Sequence, residues 1–167
     1  MRSETDTNFE LSTLSVRAGQ MRTQFREHSE AMFLTSSFVF DSAEQAAECF
    51  AATGGEHFVY SRFSNPTVEM FQRRLAALEG AEACIATASG MSAILSLAMS
   101  MLKSGDHVVC SNAVFGATIQ LFGTILSRFG ISTTFVPLAD LGAWEKAASK
   151  PATRLFFVET PSNPLLE

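Results

Sequence analysis

An α/β domain built on a parallel sheet is the fold class this sequence predicts, on three observations. Short apolar runs recur at intervals of about two dozen residues, each followed by a stretch with helical periodicity. Hydrophobic residues make up 47% of the chain and charged ones 17%, a balance that suits buried strands covered by helices. The 167 residues are enough to enclose a core. Strands joined through helices imply crossover connections and a sheet whose strands run the same way.

The elements follow in order. Residues 1–40 show no sustained period and read as an extended N-terminal arm. "DSAEQAAECFAATGG" (41–55) reads as a helix with an acidic cap at Asp41, Glu44 three residues on and Gly54 at its far end. In "SNPTVEMFQRRLAALEG" (64–80), Asn65 can cap, Pro66 suits the first helical position and Gly80 stops the run. Val68, Phe71, Leu75 and Leu78 then share one face, expected to point inward. "ACIATA" (83–88) reads as a buried strand and Met91 to Leu102 as a helix. "HVVC" (107–110) is the next strand, followed by a helix in "GATIQLFGTILSRFG" with Ile119, Phe122, Leu126 and Phe129 inward. "STTFV", the helix "ADLGAWEKAAS" and the strand "TRLFFVE" (153–159) complete the pattern.

Composition narrows the function. With 12 basic and 17 acidic side chains, a formal net charge of −5 and no run of Lys or Arg, a nucleic-acid or anionic-lipid surface is not expected. Cys49, Cys84 and Cys110 are odd in number and far apart, which suits free thiols in a reducing compartment. His28, His57 and His107 show no metal-ligand spacing, so no metal is expected. Glu4, Asp6 and Glu10 stand where a signal peptide would need an apolar stretch, and the expected location is the cytoplasm. Two uncharged runs of twenty, Ala83–Leu102 and Val108–Ser127, joined by "KSGDH", could form a hairpin in lipid. Thr87, Ser89, Gly90, Asn112 and Gln120 interrupt them, and a non-membrane α/β domain is the preferred reading.

If "ACIATA" is a strand and "MSAILSLAMSML" a helix, "SGM" is the turn between them, at the carboxyl edge of the sheet where ligands bind. The amides of Gly90 and Met91 are then unpaired at a helix start, with Ser89 adding a hydroxyl, an arrangement suited to phosphate. A tight turn capped by serine, with no ligand, is the plainer alternative. Tyr60 and Arg62 in "VYSRFSNPT" lie two residues apart on one side, able to grip phosphate oxygens, or form a surface loop. Phe115, after "HVVC", could stack on a flat ring or simply pack. Glu159 and Asn163, in "VETPSNP", supply polar groups at the same edge, or end a strand and form a turn.

"YSRFSNPT", "ATASGMSAI", "SNAVFGAT" and "FVETPSNP" together resemble, in order and spacing, the Cys/Met-metabolism enzymes that depend on pyridoxal 5′-phosphate. "STLSVRAGQ" and "TSSFVFDSAEQA" extend the resemblance to nearly the whole chain. It implies the large domain of the fold-type I pyridoxal-phosphate-dependent transferase fold, incomplete here, with residues 1–60 an arm to a neighbouring subunit's active site. Residues 61–167 would begin the cofactor-binding domain. The resemblance implies that Gly90 and Met91 bind the cofactor phosphate through their amides, with Ser89 beside them. Tyr60 and Arg62 would reach the phosphate of the neighbouring subunit, Phe115 would lie over the pyridine ring, Asn163 would donate to its phenolic oxygen, and Glu159 would support the site. At 115 the family more often has tyrosine. Phenylalanine keeps the stacking without the hydroxyl and is most similar to the family's O-succinylhomoserine sulfhydrylases.

The implied activity is γ-replacement in methionine biosynthesis: O-succinylhomoserine plus sulfide gives homocysteine and succinate. Cystathionine γ-synthase and γ-lyase activities, and a non-catalytic phosphate-binding domain, are the alternatives. The partners implied are a small amino-acid substrate, sulfide and further copies of the chain in a tetramer built from dimers. Family members are more than twice as long, and the Schiff-base lysine is expected beyond Glu167. None of Lys103, Lys146 and Lys150 falls at the carboxyl edge of the sheet, so this stretch alone is expected to be inactive.

Overall fold

The structure, a computed structural model, describes residues 9–51, 57–163, 165 and 166. It divides into two compact units, Met1–Ala86 and Thr87–Glu167.

In the first unit, a seven-residue helix, α1 (Leu11–Arg17), stands inside the expected extended arm. At that length it cannot show an apolar period. Docking holds it instead, with Ala18 1% exposed behind it and the Ala18 carbonyl accepting from Arg74 Nε at 3.0 Å. The next helix, α2 (Ala43–Ala51), starts one residue later than expected. Ser42 Oγ, not Asp41, accepts from an amide of the first turn, that of Gln45, at 3.1 Å. Gln45 Oε1 reaches back to accept from the Asp41 amide at 2.6 Å, a variant of the capping box in which the return bond falls one residue before the cap. Gly54, the expected stop, lies outside the described residues.

The helix α3 (Pro66–Leu78) is the one the sequence predicts. Asn65 caps it by accepting from the Thr67 amide, and Pro66 occupies its first turn. Gly80 follows with φ +62°, a left-handed turn that stops the helix at little cost. Its buried face differs from the expected one. Met70 and Ala76 are buried, while Val68 and Phe71 remain 42% and 56% exposed. α1 approaches from the other side: a Cβ on Gly19 would come within 2.6 Å of Arg73 Cβ and 2.9 Å of the Met70 carbonyl oxygen. The 68/71/75/78 stripe instead borders an open groove formed in part by Phe71, Leu75 and Leu78.

Residues 83–88 carry no strand. A strand exists through its ladder, and here the Ala86 amide donates to the Gln72 side chain at 2.8 Å rather than to a neighbouring strand.

The second unit opens with α4 (Gly90–Met101) and contains a three-stranded parallel sheet. Its strands are β1 (His107–Ser111), β2 (Ser132–Val136) and β3 (Thr153–Phe157), in the order β2-β1-β3. β1 lies at the centre and every residue of it is buried, as the apolar run requires. β3 ends two residues before the expected limit. On one face Val108 and Cys110 pack with Ala98 of α4, with Leu102 just after that helix, and with Phe122 and Leu126. On the other, Val109 packs with Val136 and Ala147, the last from α6 (Leu141–Ala148). Two faces covered by helices give the expected layered α/β arrangement.

The segment between β1 and β2 is less regular than its sequence suggests. α5 (Gly116–Gln120) widens into a π turn over Leu121–Ile125 and tightens into a 3₁₀ turn over Leu126–Phe129. The change of pitch moves the buried set off the predicted one. Phe122 and Leu126 are fully enclosed, each contributing about 2–3 kcal/mol, and Thr118 and Leu121 join them, while Ile119 and Phe129 are 38% and 56% exposed. No described helix is long and apolar enough to cross a membrane.

Candidate functional site

Six of the predicted residues lie in the second unit, around the start of α4 and the ends of β1 and β3. Ser89 caps α4, its Oγ accepting from the Ser92 amide at 3.1 Å. Thr87 donates to the Ser89 carbonyl at 2.8 Å, which fixes the turn from behind. The amides of Gly90 and Met91 have no acceptor among the described residues, and a Cβ built on Gly90 meets nothing within 4 Å. Gly90 is therefore glycine at a position where no protein atom demands it. Two free amides at the positive end of a 12-residue helix, facing open space, fit a phosphoryl group.

Met91 turns its side chain inward. Thr118, fully buried, places its hydroxyl 3.9 Å from Met91 Sδ and 3.4 Å from Glu159 Oε1. The other carboxylate oxygen of Glu159 accepts from the Phe115 amide at 3.0 Å. The structure thus joins Met91, Phe115 and Glu159 through Thr118, which the sequence reading omits. The signal for Thr118 is its place three residues after Phe115, in the first turn of a helix leaving the sheet. The Phe115 ring is 49% exposed and free to present a flat face. Asn163 lies in an exposed turn after the cis Thr160–Pro161 bond.

Cys110, on the central strand, is fully buried, and burial with Glu159 nearby pushes its thiol up to about 12. It is a packing group, not a nucleophile.

Tyr60 and Arg62 belong to the first unit. Tyr60 bridges antiparallel to Ser37, and the Ser61 amide donates to the Ser36 carbonyl at 2.9 Å. Arg62 folds back so that its guanidinium lies 5.4 Å from the Tyr60 ring centre and 5.0 Å from that of Phe63. Phenol and guanidinium share one side of the turn, as their spacing predicts. No carboxylate among the described residues pairs with Arg62, so its fork of donors is available to an anion. Of the lysines, Lys150 sits at the amino edge of the sheet, donating to Thr134 Oγ1 at 2.9 Å; Lys146 lies within α6 and Lys103 in an exposed turn.

The sequence model of the family described as "Cys/Met metabolism PLP-dependent enzyme" matches residues 12–167. An O-succinylhomoserine sulfhydrylase of Pseudomonas aeruginosa is 61% identical over 155 residues, covering 93% of this chain and 38% of that protein. An L-methionine γ-lyase of Fusobacterium nucleatum is 41% identical over 157 residues, covering 94% of this chain and 39% of that protein. Among solved structures, one described as an O-acetylhomoserine (thiol)-lyase of Campylobacter jejuni, holding a pyridoxyl-lysine monophosphate, superposes with a TM-score of 0.84. It is 33% identical, and the match covers 96% of this chain and 39% of that one. The chain thus spans about two fifths of the length of the relatives it matches. With the family pattern extending from residue 12 to residue 167, the chain belongs to the Cys/Met-metabolism family of pyridoxal-phosphate-dependent enzymes.

Proposed function

We propose that the full-length protein containing this chain carries out γ-replacement on O-succinylhomoserine, with sulfide as the incoming group. The Cγ–O bond to succinate breaks, a Cγ–S bond forms, and homocysteine and succinate leave, a step in methionine biosynthesis. The observation that carries this reading is the 61% identity to a protein named for that activity. Phenylalanine at 115 agrees with it, in keeping with the resemblance of "VFGAT" to that branch.

When bound, pyridoxal phosphate supplies an electron sink for the pair left at Cα when its proton departs. The residues of this chain bind and orient it. The amides of Gly90 and Met91 hold the phosphate at the start of α4, and Ser89 keeps that turn in shape. Phe115 covers the ring face and lacks a hydroxyl, so it excludes water there and moves no proton. Asn163 donates to the ring oxygen, while Glu159 supports the site from behind. Tyr60 and Arg62, near the end of the arm formed by residues 1–60, serve the phosphate of a neighbouring subunit within a cytoplasmic tetramer. Residues 61–167 begin the domain that holds the cofactor.

A second reading, release of a thiol from L-methionine, is favoured by the relatives of 41% identity named as γ-lyases. One assay separates them. The purified full-length protein is given O-succinylhomoserine with sulfide, O-succinylhomoserine with cysteine, and L-methionine alone. Homocysteine and succinate in equal amounts from the first mixture are expected. Faster methanethiol release from methionine, or no homocysteine, would overturn the proposal.

A further inference from the structure

The geometry points to Glu159 as a positioning residue that acts through Phe115, by closing a helix cap across two strands; this rests on the cofactor role proposed above for Phe115. Phe115 is the N-cap of α5, and its carbonyl accepts from the amides of Thr118 and Ile119 at 2.8 and 3.2 Å. In a capping box the third helical residue sends a carboxylate or amide side chain back to the N-cap amide. Here that residue is Thr118, too short to reach it. Glu159 arrives from the end of β3 and does both jobs. One oxygen accepts from the Phe115 amide at 3.0 Å, the other from the Thr118 hydroxyl at 3.4 Å.

This matters because little else fixes Phe115. Its ring is half exposed, and no aromatic contact to another described ring holds it. The ring's direction therefore follows from its backbone, and the backbone is tied to β3 by the carboxylate. A bond from an amide to a carboxylate is charge-assisted, and such bonds are stronger than those between neutral groups. Thr118 also faces Met91 Sδ at 3.9 Å, so the same hydroxyl links the cap to the first turn of α4.

A double-mutant cycle on the full-length protein tests the inference, reading the dissociation constant of pyridoxal 5′-phosphate by titration after cofactor removal. The visible circular dichroism of the bound cofactor is read alongside. Glu159→Ala and Phe115→Ala are each expected to weaken binding by about tenfold, the scale of one charge-assisted bond. The double variant is expected to be no weaker than the worse single one. Glu159→Gln keeps an acceptor for the Phe115 amide, and should recover most of the affinity and the dichroic band lost in Glu159→Ala. Losses that multiply to about a hundredfold in the double variant would overturn the inference. So would a Glu159→Ala protein that melts earlier yet holds the cofactor as tightly as wild type. If Glu159→Ala does not fold, the cycle is run with Thr118→Val in its place, under the same criteria. Failure of the wild-type protein to bind the cofactor would overturn the proposed function together with this inference. Binding by wild type with independent losses would overturn the inference alone.

Discussion

The ammonium group of Lys150 stands 3.4 Å from Nε2 of His107, at the edge of the sheet where β1 and β3 begin. The imidazole is 1% exposed and lies between two hydroxyls, Thr153 Oγ1 at Nδ1 and Thr134 Oγ1 at Nε2, each at 2.8 Å. Lys150 also donates to the Thr134 hydroxyl. The nearest carboxylate in sequence, Asp106, faces Arg154 at 3.9 Å. Burial first, and then Lys150, hold the His107 pKa below its ordinary value of 6.5.

Stability should therefore fall with acid through this site. Folding keeps the ring neutral while the unfolded chain takes up a proton, so the unfolded state binds more protons below about pH 6.5. The contribution is complete above that pH and declines beneath it. Urea unfolding of the full-length protein at pH 7.5 and 5.5 should show a smaller loss for His107→Asn than for wild type. Equal losses in both proteins would refute this origin.

Cys110 should resist alkylation. A thiol held near 12 and fully buried presents almost no thiolate at neutral pH. Iodoacetamide treatment of the native protein at pH 8, followed by peptide mass mapping, should leave Cys110 unmodified until denaturant is added. Labelling of Cys110 at the rate of a free thiol would contradict the packing described for β1.

Asn65 should matter more than an ordinary cap. It is 6% exposed, accepts from the Thr67 amide at 2.9 Å, and donates to the Phe33 carbonyl and Ser61 Oγ at 3.0 Å each. Asn65→Ala removes all three bonds and should cost about 1–3 kcal/mol in chemical denaturation. Asn65→Asp keeps the acceptor and loses the donors, so it should recover only part of the loss. Full recovery by aspartate would mean that the tie to Phe33 contributes nothing.

Arg62→Ala should weaken cofactor retention by about tenfold, the value of a charge-assisted contact to phosphate. Its side chain rests on two rings at the surface, so the melting temperature should change little. Arg128→Ala, at an exposed position in the 3₁₀ turn, is the control. Unchanged affinity for pyridoxal phosphate in Arg62→Ala would argue against the phosphate role.

Local signals in the sequence mark much of this architecture, and the departures have local or long-range causes. Asn65, Pro66 and Gly80 delimit α3 because caps and stops act within a few residues. Ser89 marks the start of α4 for the same reason, and the apolar run of β1 marks a strand covered on both faces. Residues 83–88 read as a strand from composition, yet a ladder partner is not a local property. The 68/71/75/78 stripe of α3 misleads because periodicity names an apolar face without saying which side a neighbour will take. α1 takes the other, where Gly19 lets it approach. The π turn at Leu121–Ile125 leaves no sequence signature, and Thr118 becomes a link only through Glu159, which the chain brings from 41 positions away. In the candidate site, the backbone groups at Gly90 and Met91 follow from the helix start that Ser89 marks, although the strand expected before it is absent. The tie between Glu159 and Phe115 joins residues 44 positions apart and needed the fold.

Gly123 lies within that wide turn, and a methyl group there would meet Phe135 Cε2 at 3.2 Å. One layer of the domain thus rests on its neighbour through a hydrogen atom. Phe135 is the ladder partner of Cys110, so any thickening at 123 would be felt at the middle of the sheet. Even alanine at this spot would require the aromatic ring to yield by a few tenths of an ångström. The spacing between helix and sheet on this face is set by the bare backbone at 123 lying against a ring of the edge strand β2.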